Sequence, residues 1–242
     1  MIYDIEGTPS TVFPDITKME IEPDGLIAIG GDLTVSRILT AYSQGVFPMP
    51  YLYEDNHSVL AWWSFPTRLL MFPDKVKFSK SWLQRIRKHD YEVKADTDFK
   101  AVITACQTMN RSGGWITPEI ISAYTRLHRL CYAHSVEVYQ HNELAGGLYG
   151  LCLGNMFVGE SMFHFKNDMS KIAFYYLVQA VKKLNLDFID CQQETPHFLK
   201  WGGTAVSRED FFPLLQKALQ VPTLTENWSA MMNQIVEEVP VR

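Results

Sequence analysis

Two short segments of the chain place carboxylate and amide side chains next to strand-like apolar residues. Glu160 is the one carboxylate in an aromatic and aliphatic run, 157–163, and a carboxylate buried in a sheet needs partners or a chemical role. A second apolar run, 186–192, ends in Asp190 and Gln192. Such groups at the ends of two strands can orient a reacting group and guide proton transfer. We therefore expect both segments to share one site.

The elements around these segments predict a mixed sheet with a crossover helix. Three strand candidates, bounded by turn signals, follow one another at 135–140, 144–153 and 156–165. Asp168 or Ser170 can begin a helix to about Leu184, and a strand at 186–191 would then run parallel to the third strand. The fold class is α+β, and this order resembles the acetyltransferase (GNAT-type) fold. In that fold the acyl donor enters where the strands flanking the crossover helix diverge.

The first part of the chain has a different composition. Residues 1–61 are rich in Pro, Gly and Asp, with a strand candidate at 26–29 and a helix that Thr34 can cap. We predict a small N-terminal α+β domain over 1–61 and the mixed-sheet domain over 62–242. The polar loop 53–58 is the expected boundary.

Charge is distributed unevenly along the chain. The net charge is −5, yet the segment 74–94 has seven basic and three acidic residues, a local charge of +4. A solvated helix face explains such a run in most proteins. The functional alternative is a patch that contacts a phosphate backbone. The candidate phosphate contacts are Lys75, Lys77, Lys80, Arg87 and Lys88.

Several classes of protein are disfavoured. The four cysteines have no metal-site spacing, the first residues do not resemble a signal peptide, and no apolar stretch reaches membrane-spanning length. We therefore expect a cytoplasmic monomer without a metal site and without membrane contact. The turn 165–170 lacks the glycines that cradle a pyrophosphate, so coenzyme A is an improbable acyl donor. Neither a P-loop nor a nucleophile elbow occurs.

Ordered motifs over roughly 20–215 are similar to those of the bacterial leucyl/phenylalanyl-tRNA–protein transferases. The matching runs are 24–33, 45–48, 62–64, 115–117, 134–138, 146–150, 157–163, 170–171 and 189–192. The resemblance implies that Leu or Phe, and Met less well, moves from its tRNA to the α-amine of proteins that begin with Arg or Lys. The new terminal residue then marks the acceptor for degradation by the N-end rule, and no cofactor is implied.

The resemblance also implies roles for individual residues. Asp190 and Gln192 stand where the family has its catalytic pair. Because a side-chain amide is a poor base, we expect Gln192 to accept a hydrogen bond from the attacking amine, with Asp190 orienting it. A sugar hydroxyl of the tRNA can then relay the proton. Glu160 would lie at the floor of the aminoacyl site.

The expected substrate pocket is apolar. Trp115 resembles the residue that stacks on the terminal adenine, and Met49 stands where family members usually carry Trp, so Tyr51 or Trp63 could contribute instead. The remaining candidate substrate contacts are Tyr124, Leu148, Phe157, Gly159, Ser161, Met162, Phe174, Leu177 and Ile189. Without the resemblance, most of these apolar residues would be read as ordinary core.

Two alternative functions remain open. The first is another N-acyltransferase of the same fold that uses aminoacyl-tRNA with a different acceptor. The second is a tRNA-binding protein without catalytic activity. Transfer assays that compare acceptor peptides separate the first from our prediction, and loss of product on substitution of Gln192 separates the second.

Overall fold

The computed structural model describes most of the 242 residues, namely 2–16, 24–52, 58–88, 90–109, 114–224 and 228–238. Most of the predicted boundary loop 53–58, and the loop before Trp115, lie outside these ranges. The strands of the described part are β1 (Tyr3–Asp4), β2 (Leu26–Ile29), β3 (Phe47–Pro48), β4 (Tyr51–Leu52), β5 (Ser58–Val59), β6 (Ala61–Trp63), β7 (Thr67–Met71), β8 (Glu92–Ala95), β9 (Ala133–Gln140), β10 (Glu143–Leu153), β11 (Met156–His164), β12 (Phe188–Asp190) and β13 (Thr204–Ser207). Its helices are α1 (Val35–Ser43), α2 (Lys80–Ile86), α3 (Phe99–Met109), α4 (Pro118–Arg129), α5 (Met169–Lys183), α6 (Pro196–Lys200), α7 (Arg208–Leu219) and α8 (Trp228–Glu238).

The larger sheet confirms the predicted mixed α+β fold. Its seven strands lie in the order β13-β7-β12-β11-β10-β9-β8. Strands β8 to β11 form an antiparallel meander, α5 crosses over, and β12 returns parallel to β11. Strand β7 comes from earlier in the chain and pairs antiparallel with both β12 and β13. The sheet therefore brings 67–71 beside 188–190, a pairing that local pattern does not reveal.

A smaller sheet is formed by the first part of the chain. Its order is β1-β2-β6-β3, and β2 is almost wholly buried, as expected for an uninterrupted apolar run. Strand β6 pairs with both β2 and β3, so this sheet continues to Trp63, two residues past the predicted boundary. One continuous apolar core joins the small sheet to α3, α4 and one face of the larger sheet.

Side-chain hydroxyls cap several of the helices, and the cap of α1 is the predicted Thr34. The hydroxyls of Thr34, Thr117 and Ser207 each accept a backbone N–H from the first turn of α1, α4 and α7. Helix α5 begins after Asp168, whose φ is +70° and whose side chain makes no capping bond. Helix α5 covers one face of the sheet with a second apolar core, which also takes up Trp228 of α8.

Two irregularities open the sheet at its centre. Strands β11 and β12 pair only from Met156 with Phe188 to Val158 with Asp190, and they diverge beyond that point. The register between β10 and β11 also shifts, since Tyr149 lies opposite Ser161 while Gly150 lies opposite Gly159. Glu160 is therefore the extra residue of a β-bulge, a device that re-aims a side chain out of the regular alternation.

Candidate active site

A cavity of about 400 Å³ lies where β11 and β12 diverge. The predicted residues that line it are Trp115, Leu148, Gly159, Glu160, Ser161, Met162, Phe174, Leu177, Ile189 and Gln192. Other lining residues, which the sequence did not single out for this role, include Phe47, Phe65, Cys191, Gln193, Thr195 and Phe198. The volume is within the range of small-ligand pockets.

Three predicted site residues lie behind the cavity wall. Asp190 is 1% exposed, and Tyr124 is buried but reaches Glu160 through its hydroxyl. Phe157 is wholly buried in the core, where its ring stacks on that of Trp228 at 5.5 Å. Because it faces the core and not the cavity, we do not retain Phe157 as a substrate contact.

Glu160 is held by two phenols and an amide. Tyr42 donates to Oε1 at 2.6 Å, and Tyr124 donates to Oε2 at 3.1 Å. The side-chain nitrogen of Gln192 lies 3.4 Å from Oε1. Burial raises the pKa of Glu160 to about 7, although the two phenol hydrogen bonds act to lower it. A carboxyl group that changes charge near neutral pH therefore faces the cavity.

The phenols around Glu160 remain protonated. Burial, together with the neighbouring Glu160 charge, raises the pKa of Tyr42 and Tyr124 well above the usual value. Each hydroxyl therefore has one proton to donate at neutral pH, and these two protons serve both the Tyr42–Tyr124 contact of 2.6 Å and the contacts with Glu160. No local pattern marks Tyr42 as a partner of Glu160, because the two residues lie 118 positions apart in the chain.

Asp190 is bound by an arginine that the sequence analysis did not single out. Arg68 of β7 donates from Nε to Oδ1 at 3.2 Å and from Nη2 to Oδ2 at 2.6 Å. Both side chains are 1% exposed. A signal was available, since Arg68 is a lone charge in an apolar strand, as Glu160 is. The partner could not be inferred, because it depends on the pairing of β7 with β12.

Gln192 follows Asp190 in an uncommon backbone conformation. Its φ is +53°, and its main-chain N–H donates to Oδ1 of Asp190 at 2.9 Å. Asp190 thus contacts the main chain of Gln192 and holds the turn that aims its side chain. An ionised Glu160 can only accept hydrogen bonds, so it favours the amide nitrogen on its side and leaves the amide oxygen free to face elsewhere.

The thiol of Cys191 lines the same cavity. Burial raises its pKa well above the ordinary value, and the nearby charge of Asp190 raises it further. Since the thiolate is the nucleophilic form, Cys191 is a poor nucleophile here at neutral pH.

Aromatic residues form the rim around Trp115 and Met49. Trp115 is half-buried, and Gln107 donates to the carbonyl of the following residue at 2.9 Å, which fixes this part of the loop. Met49 lines the cavity, and the indole of Trp63 donates to its carbonyl at 2.7 Å. Trp63 itself is buried and stacks on Tyr51 at 6.0 Å. Tyr51 and Trp63 are the two residues expected to replace the usual Trp. Of these, Trp63 contacts Met49 through this hydrogen bond to its backbone.

The basic segment adjoins the wall of the cavity. Lys75, Lys77, Lys80, Arg87 and Lys88 are all exposed. Phe78, in the same segment, packs on Trp201, which stacks on the cavity residue Phe174 at 5.2 Å. Partial burial lowers the pKa of His197, as do the nearby charges of Lys171 and Lys200. Positive charge therefore surrounds this side of the cavity.

Neither a metal site nor a membrane span is evident in the described ranges. No group of three or more His, Cys, Asp or Glu side chains there is arranged to hold a metal ion. None of the helices in those ranges has the length and apolar character needed to cross a membrane.

Comparisons with known proteins converge on one family. Residues 70–216 match the family model described as leucyl/phenylalanyl-tRNA protein transferase, and residues 31–64 match the model of its N-terminal domain. Among solved structures, that of FemX superposes with a TM-score of 0.44 at 9% identity, covering 75% of this chain and 71% of its own. That similarity is too low to bear on function.

Two curated relatives carry the same name, leucyl/phenylalanyl-tRNA–protein transferase. The Chromobacterium violaceum protein is 42% identical over 222 residues, covering 91% of this chain and 94% of its own. The Maridesulfovibrio salexigens protein is 43% identical over 235 residues, covering 96% and 95%. The chain therefore belongs to the leucyl/phenylalanyl-tRNA–protein transferase family and is an aminoacyl-tRNA–protein transferase.

Proposed function

We propose that this enzyme transfers Leu or Phe, and Met less well, from aminoacyl-tRNA to the α-amine of proteins that begin with Arg or Lys. In the cytoplasm, which supplies charged tRNA, the added residue would mark the acceptor for N-end-rule degradation. The observation that carries the proposal is a single cavity with an apolar wall at one side and the Gln192–Glu160 pair at the other.

The apolar wall suits the side chain of the donor amino acid. Leu148, Met162, Phe174, Leu177 and Ile189 line the cavity together and present no charge. Met162 is unbranched and adaptable, so one pocket can fit a branched aliphatic chain and a flat ring. Apolar pockets discriminate weakly between side chains of similar size, by about 1–3 kcal/mol per methylene, so some transfer of Met is expected.

The reaction needs positioning more than activation, because the donor is already an ester. The acceptor nitrogen attacks the ester carbonyl, the new C–N bond forms, and the bond to the ribose 3′ oxygen breaks. One proton passes from the nitrogen to that leaving oxygen, and the neighbouring ribose hydroxyl is placed to relay it. Holding the two reactants in contact can supply roughly 7–11 kcal/mol of the barrier reduction.

Gln192 is our candidate for aiming the attacking amine. Its side chain lies in the cavity, and its nitrogen contacts Glu160, which leaves the amide oxygen as an acceptor for an amine N–H. Asp190 is an unsuitable proton acceptor, because both of its oxygens already accept from Arg68. Its proposed role is therefore to orient Gln192, as the sequence analysis anticipated.

The tRNA would contact the rim and the basic segment. Trp115 lines the cavity and is half-buried, so one ring face can stack on the terminal adenine, worth roughly 1–3 kcal/mol. The exposed basic side chains from Lys75 to Lys88 are placed to meet phosphates with little base-specific reading.

A transfer assay with three acceptor peptides tests the proposal. Purified enzyme is given labelled Leu-tRNA and peptides that differ only in an N-terminal Lys, Arg or Ala. We expect product with Lys and Arg and little with Ala. Equal transfer to all three would refute the acceptor assignment, and the absence of product with every acceptor would refute transfer to peptide amines.

A further inference from the structure

We propose that Arg68 is a positioning residue that sets the aim of Gln192 through Asp190. This inference rests on the proposed role of Gln192 in holding the acceptor amine. It concerns a side chain that does not itself line the cavity, yet contacts Phe47 of the cavity wall and Asp190 behind that wall.

All three nitrogens of the Arg68 guanidinium donate hydrogen bonds to oxygens of the protein. Nε and Nη2 bind the two oxygens of Asp190, and Nη1 donates to the carbonyl of Gly45 at 3.1 Å. Its central carbon lies 5.1 Å from the ring centre of Phe47 and 4.6 Å from that of Phe211. These contacts hold the planar guanidinium in one orientation. The single ammonium group of a lysine could not make the same set of contacts.

The Asp190 carboxylate links Arg68 to the backbone of Gln192. Oδ1 of Asp190 accepts both Nε of Arg68 and the main-chain N–H of Gln192. Gln192 adopts φ +53°, a left-handed conformation that is unfavourable for any residue with a Cβ. Surrounding contacts must impose such a conformation, and the Asp190 bond is the contact at that N–H. If the Asp190 carboxylate turns away, the backbone of Gln192 can relax to a more favourable conformation. The side chain of Gln192 would then leave its position in the cavity.

Arg68 also contacts the cavity wall directly. Phe47 lies against the guanidinium and lines the cavity. The guanidinium of Arg68 thus contacts both the Phe47 ring and the Asp190 carboxylate that bonds to the backbone of Gln192. Loss of Arg68 would leave the Asp190 carboxylate buried without a counter-charge, a state that is strongly destabilising locally.

Chemical rescue is the first test. We expect Arg68→Ala to lower kcat by about 100-fold, the loss that a misplacement of roughly 1 Å can cause, with a small change in KM for Phe-tRNA. Guanidinium ion at non-denaturing millimolar concentration should restore part of kcat, whereas methylammonium should not. A folded Arg68→Ala enzyme with unchanged kcat, or equal rescue by both ions, would overturn the proposal.

Arg37 provides the matched control. It is also a wholly buried arginine, but it binds Thr8, Val12 and Asp32, none of which lines the cavity. Arg37→Ala should lower the melting temperature while kcat, measured well below that temperature, remains within about threefold of wild type. A similar kcat loss in both variants would reduce the role of Arg68 to general stability.

A double variant covers the case in which Arg68→Ala fails to fold. Arg68→Met with Asp190→Leu removes both charges and retains apolar bulk, a replacement that buried ion pairs commonly tolerate. We expect this protein to melt near the wild-type temperature and to have low kcat, since Gln192 has lost its anchor. Wild-type kcat in the folded double variant would refute the proposal. An inactive wild-type enzyme would instead refute the proposed function.

Discussion

A buried carboxylate, Asp190, and a half-buried one, Glu160, lie near each other in this cavity region and have different surroundings. Asp190 faces a guanidinium, which binds both of its oxygens. Glu160 faces two phenols and an amide, and burial raises its pKa to about 7. Environment thus separates two chemically similar groups: Asp190 is paired with Arg68 and bonds to the backbone of Gln192, whereas Glu160 can change charge near neutral pH.

The side chain of Gln192 can be tested against its neighbour. Gln192→Ala should lower kcat by about 100-fold with little change in KM for aminoacyl-tRNA, because the acceptor amine loses its guide. Gln193 also lines the cavity but is exposed, and Gln193→Ala should keep kcat within about threefold. Single-turnover transfer from Phe-tRNA to an Arg peptide measures both. Equal losses in the two variants would count against a specific role for Gln192.

The raised pKa of Glu160 predicts that the stability of the Glu160→Gln variant relative to wild type depends on pH. Since its pKa rises from 4.5 to about 7 on folding, the folded protein holds a proton that the unfolded chain releases between those values. Its contribution to stability therefore falls as pH rises through this window, by at most about 3 kcal/mol. Glu160→Gln removes the titration. The melting temperature of the variant relative to wild type should rise from pH 5 to pH 8.

An exposed carboxyl serves as the control for this measurement. Glu119 has its pKa lowered by a hydrogen bond with Thr117, so its titration lies below the window. Glu119→Gln should give the same melting difference from wild type at pH 5 and pH 8. A flat profile for Glu160→Gln as well would show that the carboxyl is ionised throughout, contrary to the raised pKa.

At the scale of elements, the bulge in β11 and the divergence from β12 create the site. Glycines allow the strands to come together at the bulge. A Cβ on Gly150 would lie 2.1 Å from the carbonyl oxygen of Val158 and 2.5 Å from the ring of Phe157. A Cβ on Gly159 would meet nothing closer than 3.7 Å, because it faces the gap between the strands. Two glycines of one strand pair therefore have different roles.

Alanine at these two glycines should separate stability from binding. Gly150→Ala forces the backbone apart and should reduce the free energy of unfolding by about 3 kcal/mol. Gly159→Ala should be close to neutral for stability, but its methyl group enters the cavity floor and should raise KM for Phe-tRNA. Urea denaturation and steady-state kinetics measure the two effects. Equal destabilisation by both substitutions would contradict the open gap at Gly159.

Elements with strong local signals were predictable, whereas contacts between distant segments were not. The cap at Thr34 and the crossover helix follow from local chemistry, and the structure has both. The pairing of β7 with β12 joins segments more than 100 residues apart, so Arg68 could not be matched to Asp190. The bulge was also hidden, because it arises from a register shift between two strands. The family resemblance placed Phe157, which the structure buries in the core, among the substrate contacts, and no local pattern pointed to Tyr42.

At the scale of the molecule, the local charge of one segment has the opposite sign to the net charge of the chain. The chain carries −5 overall, while exposed basic side chains lie along the segment that packs behind Phe174. Lysines differ within this segment, because Lys94 has Glu92 at 3.3 Å, whereas Lys77 and Lys80 have no ion pair within the described residues. Unpaired surface cations are the ones that release counterions when a phosphate replaces their solvent shell.

The salt dependence of tRNA binding should distinguish these lysines. Each phosphate contact that is lost should reduce the slope of log affinity against log salt by about one, so Lys77→Ala with Lys80→Ala should reduce it by about two. Lys94→Ala is the matched control and should leave the slope nearly unchanged, since Glu92 already neutralises that charge. Binding is measured by filter retention of labelled tRNA from 50 to 300 mM salt. At saturating tRNA the double variant and the Lys94→Ala control should both retain wild-type kcat, because these side chains lie outside the cavity. An unchanged slope in the Lys77/Lys80 variant would mean that tRNA approaches the enzyme from another face.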